Sequence, residues 1–248
     1  PKTDGHSELT GGGEMVFTGR LPGGKNADGA IQYCVCYRIR TDGNTEVIRK
    51  KTRVAEATFC EVYLTIQTNF SAGGDPNGAY RKQAVLRAER AYEAGYEFLY
   101  REHTAFFSEQ YGRTAVEFRY PESGRSVDEL IKDYPKDKNI ELIEKMFNFD
   151  KYLIISSSQA GSEPPTLQGI WNATYTPPWD SKYTVNINLE MNYWSVGALN
   201  LCGLDEPLFD KLNRLVPNGK VVAREMYGIQ RGDAWCLHHN TDLWDVCG

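Results

Sequence analysis

The sequence runs to 248 residues with a formal net charge of -5, 41% hydrophobic and 12% aromatic residues. A chain of this length can bury one large core or two ordinary ones, and its apolar content argues against intrinsic disorder. The modest acidic balance argues against a nucleic-acid binder, which needs a basic face, and fits a neutral or weakly acidic ligand.

The amino-terminal stretch PKTDGHSELTGGGE lacks the apolar centre of a secretory signal, and no apolar run approaches the roughly 20 residues needed to span a bilayer. From 14 to 70, short alternating segments rich in Val, Ile, Tyr and Thr are separated by turn chemistry such as Asp42-Gly43-Asn44. That period of two predicts antiparallel strands, clearest near 32–39, 46–54 and 59–68 and too few to close a sandwich. The six cysteines include no CxxC pair. Cys34 and Cys36 alternate on a predicted strand, point the same way with poor geometry for bonding each other, and read as small buried hydrophobes. A Gly/Pro/Asn loop over 71–78 ends the β region.

Residues 81–110 carry one long helical pattern, with Val85, Ala88, Tyr92, Tyr96, Leu99, His103 and Phe106 at three- and four-residue spacing. They predict a linker helix or a pair of helices. Helical periodicity resumes over 128–134, 140–157, 189–201 and 206–227, with Pro or Gly following several of these runs.

The most informative stretch is 167–194, LQGIWNATYTPPWDSKYTVNINLEMNYW. Trp171, Trp179 and Trp194 are three of the chain's five Trp and stand close to Asn172, Pro177 and Pro178. Flat indole faces stack on the C–H faces of a pyranose while amides and hydroxyls read its hydroxyl groups, so the stretch reads as a sugar site. Core packing is the competing reading for any one Trp, but the neighbouring Asn and Pro residues mark an irregular wall rather than a helix interior.

Thr184, Asn186 and Asn188 lie two apart, and the two prolines upstream favour an extended segment that would turn all three to one face. A carboxamide oxygen can accept a hydrogen bond from water and aim it at a carbon, but it is too weakly basic to keep the proton. A carboxylate must stand behind it. The bland alternative is that Asn186 or Asn188 caps the helix that follows.

His238, His239, Asn240 and Asp242 invite a metal reading, yet adjacent His side chains diverge and no third ligand has suitable spacing. A His–Asp pair holding one tautomer could instead read a sugar hydroxyl, while Asn240 and Thr241 could equally satisfy loop backbone groups. No metal or organic cofactor is implied. Asn69-Phe70-Ser71 and Asn172-Ala173-Thr174 fit the glycosylation pattern, which chance also produces.

In their order, these residues resemble the start of the catalytic domain of glycoside hydrolase family 95, whose members are α-L-fucosidases and, less often, α-L-galactosidases. The resemblance runs from LQGIWN through PPWDSKYTVNINLEMNYW and the helical EPLFD at 206–210 to HHNTDLW at 238–244, and reaches more weakly back to Glu61. It implies an α+β multidomain fragment. Residues 1–78 would be the end of an antiparallel β-sandwich, 79–124 a helical linker, and 125–248 the first helices of an (α/α)6 barrel. Twelve barrel helices of about 12 residues each need more chain than follows residue 124.

The resemblance also implies an inverting hydrolase of terminal α-L-fucose, α-1,2-linked, with Asn186 and Asn188 as the catalytic pair that orients water. A separate carboxylate would polarise them and a Glu would act as general acid, neither placed on this chain, so the piece by itself is expected to be inactive. Trp171, Asn172, Trp179, Thr184, Trp194, His238, His239 and Asp242 are the expected substrate-binding residues. Many family members place His where Thr184 stands, and a smaller hydroxylated residue leaves room for the extra oxygen of L-galactose. The expected partner is a fucosylated or L-galactose-containing oligosaccharide, not nucleic acid or membrane, met in a secreted, periplasmic or cell-surface setting. The rival of a different class is a non-catalytic carbohydrate-binding module.

Overall fold

A computed structural model describes residues 6–9 along the backbone and 14–21, 31–48, 51–70, 79–174 and 177–248 in full. The loop expected over 71–78 lies outside the described residues. The chain is α+β, with antiparallel strands first and helices after, and it divides into two compact units, Pro1–Thr104 and Ala105–Gly248. Among the described residues, no helix is long and apolar enough to cross a membrane.

The first unit is built on β1 (His6–Leu9), β2 (Met15–Arg20), β3 (Gln32–Thr41), β4 (Asn44–Ile48), β5 (Lys51–Ala55) and β6 (Cys60–Thr68). Four of these form one antiparallel sheet in the order β1-β2-β3-β6. The single strand expected over 46–54 is instead a hairpin, β4 pairing β5 from Asn44↔Ala55 to Ile48↔Lys51. Alternation alone reads 46–54 as one run, so it does not mark where the two strands separate. Cys34 and Cys36 share one face of β3, fully buried as free thiols. Helix α1 (Ala79–Ala94) lays Tyr80, Ala84 and Ala88 over them and Val16. Burial in that layer pushes the Cys36 thiol up to about 11.

The helical pattern over 81–110 is broken at Gly95, whose φ of +79° belongs to the left-handed region that glycine enters without a Cβ penalty. The chain resumes as α2 (Tyr96–Tyr111).

The second unit contains α3 (Val127–Asp137), α4 (Ile140–Ser157), β7 (Tyr183–Thr184), α5 (Asn188–Tyr193), α6 (Glu206–Tyr227) and β8 (Asn240–Thr241). The Asn139 side chain accepts from the Glu141 amide at 2.9 Å and starts α4, and Gly228, at φ +66°, ends α6. The core joins Ile154 and Ile155 of α4 to Tyr183, Leu189, Tyr193, Val196, Leu199, Leu201 and Leu204. The helix expected over 189–201 stops at Tyr193 and continues as turns, with Asn200 at φ +57°. Leu189, Tyr193, Val196 and Leu199 keep their helical spacing and are buried. The pattern therefore reported the buried face without requiring continuous helix.

Candidate functional site

Two distant segments meet in a short ribbon, where Tyr183 pairs with Thr241 and Thr184 with Asn240. The Val185 amide extends it, donating to the His239 carbonyl at 2.8 Å. Beneath lies Lys211 of α6, 0% exposed, whose ammonium donates to the Asp242 carbonyl and pairs with the Asp245 carboxylate at 2.5 Å. An ammonium out of water needs such partners. Arg214, one turn further along α6, reaches Asp245 at 3.4 Å and Glu163 at 2.6 Å. Burial, with Glu163 nearby, pushes the Tyr183 hydroxyl far above its ordinary range and keeps it neutral.

Gly219 sits within α6, where glycine is ordinarily disfavoured by about 1 kcal/mol. Here the close approach explains it, because a Cβ would lie 2.8 Å from the Trp235 ring and 2.9 Å from the Cys236 carbonyl oxygen. The segment leading to His238 can therefore lie directly on the helix, with the Cys236 amide donating to the Gly219 carbonyl at 3.0 Å.

These supports frame a cavity of about 380 Å³, lined by Asn186, Glu190, His238 and His239 over an apolar floor that includes Leu189 and Leu208. Asn186 is exposed on the turn before α5, and Asn188, half-buried, is the first residue of α5. Among the described residues, neither carboxamide has a hydrogen-bond partner, and the cap position of α5 falls to Ile187. The capping alternative is thus not formed. Nor is the continuous extended run through Thr184, Asn186 and Asn188, since β7 ends at Thr184, where its pairing with β8 stops.

His238 Nε2 lies 2.7 Å from the Tyr227 hydroxyl, and His239 Nε2 lies 3.0 Å from the Asn240 amide nitrogen. The His–Asp pair expected from sequence is not made. One oxygen of Asp242 instead accepts from the Trp244 amide at 2.9 Å and the Val246 amide at 3.4 Å, the short-range turn that an aspartate readily forms with its own backbone. Among the described residues, no group of three His, Cys, Asp or Glu side chains is placed to hold a metal ion.

The sequence model for the glycosyl hydrolase family 95 catalytic domain matches residues 95–248. The chain belongs to glycoside hydrolase family 95. It is similar to a protein named alpha-L-fucosidase 2 from Arabidopsis thaliana, at 31% identity over 227 residues, 86% of this chain and 27% of that relative. It is also similar to a probable alpha-fucosidase A from Aspergillus niger, at 40% identity over 117 residues, 46% of this chain and 14% of the relative. The protein of the same name from Aspergillus oryzae is 34% identical over 130 residues, 51% of this chain and 18% of the relative. This chain therefore spans about a quarter or less of the length of these relatives.

Within this family 95 chain the predicted aromatic and amide residues do not form one wall. Trp171 and Trp194, 43% and 64% exposed, line a separate cavity of about 640 Å³ with Phe147, Gln168, Met191 and Asn192. Trp179, 66% exposed, stands on a turn where it, Asp180 and Ser181 all take φ between 52° and 57°. Three successive left-handed non-glycine residues are strained, a backbone state found where the surroundings enforce it. The Asn172 amide is spent on its own loop, donating to the Thr174 carbonyl at 2.8 Å and accepting from the Thr174 amide at 3.2 Å. The Thr184 hydroxyl is buried and, among the described residues, has no hydrogen-bond partner.

Sequence reasoning missed Tyr227, Lys211 and Asp245. Tyr227 carries no local signal beyond ending a helix, and a lysine on an amphipathic helix reads as solvated. Only the tertiary register buries Lys211 against Asp245.

Proposed function

We propose that this chain belongs to an inverting glycosidase that removes terminal, α-1,2-linked α-L-fucose from glycans, with Asn186 and Asn188 orienting the attacking water. In this reading residues 1–78 end a β-sandwich, 79–124 link it, and 125–248 open an (α/α)6 barrel. The observation that carries the proposal is the unpartnered pair of carboxamides, Asn186 facing a cavity it shares with His238 and His239. An amide without protein partners keeps its lone pairs for water. Family membership and the names of the relatives support the same chemistry. Inversion requires an acid and a base about 6.5 to 9.5 Å apart so that water fits beneath the ring. The reading assigns the amides to aiming that water, and the acid and the polarising carboxylate to groups outside this pair.

The test is hydrolysis of aryl α-L-fucoside by the complete gene product, with proton NMR of the first sugar released. The expected product is the β-anomer. Absence of turnover removes the reading, and release of the α-anomer removes the inverting mechanism.

One observation favours a second substrate, α-L-galactoside. Thr184, whose buried hydroxyl has no hydrogen-bond partner among the described residues, directly precedes Val185 of the cavity wall, and in this reading its small side chain leaves room for the additional hydroxyl at C6. The ratio of rates on the two aryl glycosides decides between them, and Thr184→Val should move that ratio toward fucose.

A further inference from the structure

Cys236 and Cys247 flank the segment that carries His238 and His239, and both settle on the same turn of α6. The Cys236 amide donates to the Gly219 carbonyl at 3.0 Å, and the Cys236 carbonyl oxygen would lie 2.9 Å from a Cβ at Gly219. From the other side the Cys247 thiol donates to the Leu215 carbonyl at 3.4 Å. In the ladder of a helix the carbonyl of residue 215 faces the amide of residue 219, so the two cysteines border one patch of the helix surface. Their segments are also bonded directly, the His238 amide donating to the Cys247 carbonyl at 3.2 Å. Cys236 is close enough to act on the ionisation of Cys247, whose thiol is pushed up by burial first and then by Asp245 and Cys236.

Exposure divides the chemistry between them. Cys236 is half-buried and within reach of a small reagent, whereas Cys247 is 2% exposed. The thiol open to solvent meets an oxidant first, and its buried neighbour resolves the product. Cys34 and Cys36 are a contrast. They share one face of β3, where side chains two apart run parallel about 7 Å from each other, while a disulfide needs its Cβ atoms about 4 Å apart. Cys236 and Cys247 reach α6 from separate segments and meet no such constraint.

We propose that Cys236 and Cys247 are the two halves of a disulfide, closing a loop that carries His238, His239, Asn240 and Asp242. The oxidant is a small-molecule disulfide of the glutathione class. The Cys236 thiolate attacks one of its sulfurs, forming a mixed disulfide and expelling one small thiolate. The Cys247 thiolate then attacks the Cys236 sulfur and expels the second. Two protein thiols are oxidised, one small disulfide is reduced to two thiols, and the two cysteine protons end on those thiols. The bond clamps together the two ends of the segment that supplies the His238–His239 wall. It does not depend on the glycosidase reading.

The experiment equilibrates the complete gene product with oxidised or with reduced glutathione, alkylates the remaining thiols and maps unreduced peptides by mass spectrometry. Cleavage before Asp242 parts the two cysteines unless they are bonded. The expected result after oxidation is a linked pair two hydrogens lighter than the separate thiols, with Cys34 and Cys36 still thiols. Cys247→Ser should leave glutathione stalled on Cys236, and Cys236→Ser should leave Cys247 unmodified. Oxidation should raise the melting temperature of the wild-type protein by about 5 °C and leave that of Cys247→Ser unchanged. Alkylation of both cysteines after oxidation, glutathione retained on Cys236 of the wild type, or a bond from either to another cysteine overturns the proposal. A linked pair with no rise in melting temperature overturns the clamp.

Discussion

Lys211 and Asp245, 34 residues apart in sequence, form a buried ion pair with Nζ 2.5 Å from Oδ1, and the same ammonium donates to the Asp242 carbonyl. This pair ties the segment bearing His238 and His239 to α6. Lys211→Met would leave Asp245 with only Arg214, 3.4 Å away. The expected loss is about 3 kcal/mol, the low end for breaking a buried pair, because Arg214 compensates in part. All five Trp lie in the second unit, so denaturant unfolding followed by Trp fluorescence measures that unit directly.

Asn186→Ala and Asn188→Ala should separate activity from stability. Neither amide holds anything together, so unfolding free energy should move by less than about 0.5 kcal/mol. In the complete gene product kcat should fall by about 10²-fold, the loss expected when a group that only positions the attacking water is removed. A large loss of stability in either variant would assign the amide a structural role instead.

Alkaline pH should destabilise the second unit through its buried tyrosines. Burial pushes the Tyr193 hydroxyl from its ordinary 10.0 up to about 12, beside Ser158 at 2.8 Å. The folded state thus holds this proton more tightly than the unfolded chain. The resulting stabilisation is complete below the unfolded value and is lost as pH rises from 10 through about 12. Tyr193→Phe should flatten this part of the stability profile, at a constant cost of about 1 kcal/mol for the lost hydrogen bond.

Gly219→Ala tests the close approach. On an open helix surface the change would stabilise by about 1 kcal/mol. Here the added carbon meets the Trp235 ring and the Cys236 carbonyl at under 3 Å, so a net loss of about 1 to 3 kcal/mol is expected, as for other overpacked sites. Unfolding of purified protein gives the sign, and a gain in stability would mean that the 235–236 segment yields easily.

The helices over 140–157 and 206–227 were legible because periodicity agreed with local chemistry, a capping Asn139 at one start and Gly228 at the other end. The gathering of Asn186 with His238 and His239 was legible only through motif order, since no local pattern joins residues so far apart. Three features escaped for physical reasons. The extended state of 183–184 depends on pairing with 240–241, so it ends where that partner ends. Asp242 chose nearby backbone amides over a His ring. Trp171 and Trp194 follow α4 and α5 into a cavity of their own, a division that spacing along the chain does not encode.

The ribbon of Tyr183–Thr184 with Asn240–Thr241 encloses the whole of α6 between its halves. Closing so long a loop is entropically affordable only once the helix inside it has docked, so the cavity is assembled late in folding. A two-residue seam is also the first to open on warming. Heat should therefore open the cavity walled by Asn186, His238 and His239 while the surrounding helices remain folded, its opening preceding the melt.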